Sequence, residues 1–148
     1  MKNAIPAMLA VFVLTMGIVA IESQSQAQGG RKLQTSMSGA GVVPGPGDSD
    51  GAGSATISVS PAEGTVQFHL KVSNIDRSTA AHIHEGGPRT AGPVVITLAP
   101  PDSSGQSVGT VKVDVRLAQS IAKNPSAYYV NVHNAAYPSG AVRGQLGK

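Results

Sequence analysis

Apolar residues in this chain recur at every second position, in short runs that stop at clusters of Gly, Pro, Asp and Ser. Residues 65–75 show it best. Val66, Phe68, Leu70 and Val72 fall on one side, and Gln67, His69, Lys71 and Ser73 on the other. An extended backbone turns successive side chains to opposite faces, so this pattern specifies a strand with one buried face. In residues 108–115, Val111, Val113 and Val115 oppose Lys112 and Asp114. Residues 32–38, 55–60, 80–85, 93–98, 127–133 and 141–146 read as further strands. Between them lie turn formers: Pro44-Gly45-Pro46-Gly47-Asp48, Pro61-Ala62-Glu63-Gly64, Gly86-Gly87-Pro88 and Tyr137-Pro138-Ser139-Gly140. Many short strands separated by such signals predict an all-β fold, an antiparallel Greek-key-like β-sandwich. One short helix is predicted at residues 117–123. Leu117 and Ile121 are four apart there, and Asn124-Pro125 ends it.

The N-terminus follows a different rule. Lys2 precedes an almost wholly apolar stretch over residues 4–21, and Ser25-Gln26-Ala27 suits cleavage after Ala27. Residues 1–27 are therefore expected to be a signal peptide, residues 28–32 a short tether, and residues 33–148 the β-sandwich domain. The protein is expected to be secreted, periplasmic or at the cell surface. It would touch a membrane only if the leader stayed attached, since the apolar stretch is close to the shortest span. The chain has no cysteine. That excludes disulfides, thiol catalysis, thiolate metal sites and a lipid-anchored bacterial lipoprotein. Its net charge is +3, carried by scattered basic residues, and it has no tryptophan. Nucleic acid is not an expected partner, because phosphate-backbone binding needs a concentrated basic footprint.

Parity also sorts the polar residues. Three of the four histidines lie in the segments Ala81-His82-Ile83-His84-Glu85 and Asn131-Val132-His133. If Ile83, Val130, Val132, Val142 and Leu146 face the core, then His82, His84, Tyr129, Asn131, His133, Arg143 and Gln145 share the opposite, outer face. Strands 127–133 and 141–146 are joined by a short turn, so they should be antiparallel neighbours with His133 near Arg143. The candidate binding residues are His82, His84, Asn131, His133, Arg143 and Gln145, walled by the loop 86–92. Two readings stand. His82, His84 and His133 could ligate copper or zinc, which neutral imidazole suits, with Arg143 guiding an anion. Alternatively, the polar side chains hydrogen-bond the loop and pin it to the sheet. His69 sits among polar neighbours and reads as solvated. Asp48-Ser49-Asp50-Gly51 resembles the start of a calcium loop but lacks the later acidic ligands, so a turn suffices. No Gly-x-Ser-x-Gly elbow supports nucleophilic hydrolysis.

Four blocks resemble the chordin-type (CHRD) domain family: Gly41-Val42-Val43-Pro44-Gly45-Pro46-Gly47-Asp48, Thr79-Ala80-Ala81-His82-Ile83-His84-Glu85-Gly86, Gly92-Pro93-Val94-Val95, and the stretch from Tyr128 to Leu146. They occur in the family's order and span about residues 33–148. Asn134 stands where many members have threonine, and Ala141 where many have glutamate. The resemblance implies an extracellular β-sandwich-like module whose signature histidines are His82, His84 and His133. It carries over no ligand. The order His82-Ile83-His84-Glu85, Val132-His133, Arg143 is also similar to copper–zinc superoxide dismutases, Greek-key β-sandwiches in which an arginine steers superoxide to copper. That likeness implies a copper site drawn from His82, His84, His133 and at most His69. Without disulfide cysteines or a histidine-rich loop, it gives no support to a zinc site. Three functions follow: an exported, non-catalytic binding or surface-associated module with an extracellular or envelope ligand; a copper-binding protein with dismutase-like redox chemistry; or a structural envelope or matrix component. Nothing in the residues requires an enzyme.

Overall fold

The structure, a computed structural model, describes residues 30–147. The expected leader, and the tether up to residue 29, lie outside the described residues. Eight strands follow in chain order: β1 (Arg31–Ser38), β2 (Ala52–Ser60), β3 (Thr65–Ser73), β4 (Ser78–Glu85), β5 (Val94–Leu98), β6 (Gln106–Lys112), β7 (Tyr128–Asn134) and β8 (Val142–Gln145). Between β6 and β7 lie the α-helix α1 (Val115–Lys123) and a 3-10 turn (Pro125–Ala127), and a second 3-10 turn (Gly39–Gly41) follows β1. The fold is all-β, as expected. Among the described residues, no helix is long and apolar enough to cross a membrane.

All eight strands belong to one antiparallel sheet in the order β5-β4-β7-β8-β1-β2-β3-β6, curled nearly into a barrel. From β3 the chain crosses to β4 in the other half of the sheet. After β5 it crosses back to lay β6 beside β3. These long crossings between otherwise local hairpins are the Greek-key element of the topology. The inward residues of both halves meet in one core, including Leu33, Ile57, Val66, Leu70, Ile83, Val130, Val132 and Val142. Ala118 and Ile121 of α1 join the same core. Pairing is long between β1 and β2, with eight registered residue pairs, whereas β8 meets β1 at one, Ser38 with Arg143.

The strand and helix boundaries differ from expectation where local chemistry competes with the pattern. α1 begins at Val115, two residues early, because the Asp114 carboxylate accepts a hydrogen bond from the Arg116 amide at 2.7 Å. An aspartate in that position satisfies an amide that the first helical turn leaves free. The alternation through Val113 and Val115 therefore outruns β6, which stops at Lys112. β2 starts at Ala52, inside the expected loop, because Ala52 and Gly53 pair with Ser73 and Val72 of β3.

Candidate metal centre

β4 and β7 are neighbours and place His82 across from Asn131, and His84 across from Tyr129. β7 and β8 then place Asn131 across from Arg143, and Tyr129 across from Gln145. Directly opposed residues share a sheet face. Ala81, Ile83, Val130, Val132 and Val142 fill the core side, so all six expected site residues come together on the other. His133 lies one step beyond the β7–β8 pairing. Its partner is the turn, and Arg143 pairs with Asn131 instead.

Much of this face is covered, although His82, His133 and Gln145 are only half-buried. Arg143 is 3% exposed, Asn131 3% and His84 8%. The cover is the connection between β4 and β5, and it is held by its own carbonyls. Arg143 donates from Nη1 to Thr90 O at 2.8 Å and from Nη2 to Gly87 O at 2.7 Å. Gln145 donates from Nε2 to Gly86 O at 2.7 Å. Gly92 donates its amide to the Tyr129 hydroxyl at 3.0 Å. A Cβ on Gly92 would lie 1.6 Å from Glu85 O, so only glycine lets the loop come this close. Gly140 (φ +134°) likewise closes the β7–β8 turn against the Asn131 side chain, which donates to Ser139 O at 3.1 Å. The expectation that Arg143 guides an anion is corrected here. Its guanidinium is buried, bonded to the loop and laid over the Tyr129 ring, 3.4 Å from the centroid. An anion in solvent does not reach it.

Tyr129 is the residue that sequence reasoning placed on this face but passed over as a site residue. Its ring stacks on His84 from β4, with centroids 4.8 Å apart and planes 10° from parallel, and lies under Arg143 from β8. Parity with Asn131 and His133 was the available signal.

The three histidines form the heart of the arrangement. One ring nitrogen from each of His82, His84 and His133 lies within 4.8 Å of the others. His82 Nδ1 and His133 Nε2 are 3.1 Å apart. His133 Nδ1 contacts Pro138 O at 2.9 Å, and His84 Nδ1 contacts Gly92 O at 2.9 Å. A carbonyl oxygen only accepts, so in both rings Nδ1 carries the hydrogen and Nε2 keeps its lone pair. In His84 that Nε2 is buried with no hydrogen-bond partner. Such tethering of the distal N–H is what orients an imidazole for a metal. His69 lies on β3 across from Thr56 and Val108 and does not join the cluster. Asp48 and Asp50 form no metal-holding group with a third ligand among the described residues.

Burial disfavours the charged form of two of the three rings, His82 and His133. His82 titrates below the ordinary imidazole value of 6.5, chiefly because burial disfavours its charged form, and next because His133 and His84 repel it. His133 is also lowered by burial; its bond to Pro138 O opposes the shift and His84 adds to it. The unfolded chain therefore holds more protons than the folded one near pH 6. Stability from these groups is full above pH 6.5 and is lost as pH falls through the folded-state values. The urea midpoint is expected to drop between pH 7.5 and pH 5, and to drop less in the variant His82→Gln, His133→Gln.

A family model described as the CHRD domain matches residues 33–146. The chain belongs to the CHRD family. The match takes in every strand from β2 to β8, most of β1, and all three clustered histidines. CHRD domains occur in extracellular or periplasmic proteins. No curated protein and no solved structure matches the chain significantly.

Proposed function

We propose that this CHRD domain is an exported metal-binding module that takes one transition-metal ion at His82 Nδ1, His84 Nε2 and His133 Nε2, copper first and zinc second. The observation that carries the reading is the buried, unpartnered Nε2 of His84 in a cluster of three imidazoles. A buried acceptor without a partner is costly unless something completes it. Three imidazoles without thiolate fit copper and zinc best. In the empty site His82 donates its Nδ1 hydrogen to His133 Nε2. An ion replaces that shared hydrogen, which moves to His82 Nε2. Ligand nitrogens about 2.0–2.1 Å from one ion sit roughly 3.3–4.1 Å apart, so nitrogens already within 4.8 Å need only small adjustments.

Loop pinning belongs to the same design. Arg143, Gln145 and Tyr129 hold the cover, and the cover's Gly92 carbonyl holds His84. The dismutase-like alternative draws no support from Arg143, whose guanidinium is buried and bonded to Thr90 O, Gly87 O and Gln145 Oε1. The envelope-component alternative gives no use for a histidine cluster under a fastened loop.

Calorimetric titration of the purified protein with copper and with zinc tests the proposal. One ion per chain is expected, with His69→Ala binding like the unaltered protein. Copper affinity unchanged in the double variant His82→Ala, His84→Ala would end it.

A further inference from the structure

Resting on the metal reading above, we infer that the site selects copper in its monovalent state, Cu(I), over the divalent ions Cu(II) and Zn(II). Three observations lead there. The first is ligand number. Among the described residues the cluster contains three histidines and no carboxylate. All three rings project from the single β4–β7 ladder or its edge, so they reach an ion from one side. Divalent copper favours a tetragonal set and zinc a tetrahedral one, each needing a fourth donor. A monovalent d10 ion is content with three.

The second is charge. The cluster itself supplies no negative charge, its members being three histidines. The nearest buried ionic group is the Arg143 guanidinium, on the Tyr129 ring that stacks against His84. Its recorded partners, Thr90 O, Gly87 O and Gln145 Oε1, are all neutral oxygens, and no carboxylate offsets it. An entering cation thus meets a shell with no negative charge beside a positive one. Each unit of charge on the ion adds to that repulsion and to the cost of leaving water, so two units are penalised more than one. The third is enclosure. The fastened loop buries His84 and shields that side of the site from water, while His82 and His133 are half-buried.

The test is competition with chromophoric chelators, under anaerobic conditions for Cu(I), with silver(I) as a redox-inert monovalent probe alongside Cu(II) and Zn(II). Cu(I) is expected to bind at least about tenfold more tightly than either divalent ion, and silver(I) to bind at the same site. Thr97 supplies a variant that spares the fold. It is exposed on edge strand β5, directly across from His82. Thr97→Glu sets a carboxylate beside the cluster and should raise divalent affinity by about tenfold, closing the gap. Divalent binding as tight as Cu(I) in the unaltered protein, or a gap that Thr97→Glu leaves untouched, overturns the selectivity. If none of the four ions binds, the metal reading itself fails.

Discussion

Val132→Asp is expected to leave the chain unfolded at 25 °C, with no cooperative transition and no strand signal in far-UV circular dichroism. Val132 is fully buried at the centre of β7, paired with Ala81 on one side and Val142 on the other. All three belong to the single core. An aspartate there would bury a carboxylate with no donor nearby, or bury it protonated among aliphatic groups. Either costs several kcal/mol, about the whole stability of an ordinary domain. Gln67→Asp, on the exposed face of β3, introduces the same side chain where solvent reaches it and should change stability by only about 0.5 kcal/mol. Equal losses from the two variants would mean that β7 does not present Val132 to the core, and the placement of His133 on the other face would fall with it.

The second large effect concerns His84. His84→Ala should lower copper affinity by more than about 100-fold, since substitutions merely behind a metal ligand already cost 10–100-fold. His84 is the most buried of the three rings, and it alone is bonded to the covering loop, through Gly92 O. The variant should still fold, because Arg143 and Gln145 keep three other loop carbonyls. Unchanged circular dichroism with lost binding is the expected pair of results. His84→Ala that binds copper like the unaltered protein would remove the buried Nε2 from the ligand set.

What could be read from the residues and what could not divide along a physical line. Period-two alternation put His82, His84, Asn131, His133, Arg143 and Gln145 on one face, because a valine or isoleucine sits beside nearly every one of them. A spacing of four between Leu117 and Ile121, with the stop at Asn124-Pro125, found the helix. It missed the early start at Val115, where a capping carboxylate outweighs apolar alternation. Alternation missed Ala52 and Gly53 in β2, since small residues carry no sign of the side they face. The cover over the site was legible only as a neighbouring loop. Its grip on Arg143 and Gln145 runs through backbone carbonyls, and every residue type has one. Tyr129 was on the right face by parity but was passed over.

One joint in the sheet has a mechanical meaning. β8 and β1 share a single registered pair, which divides the sheet into β5-β4-β7-β8 on one side and β1-β2-β3-β6 on the other. The hydrogen-bonded ladder is thinnest there, so breathing between the two sides should start at that seam. All three imidazoles belong to strands on one side of that seam, so a loosening confined to it would leave them together.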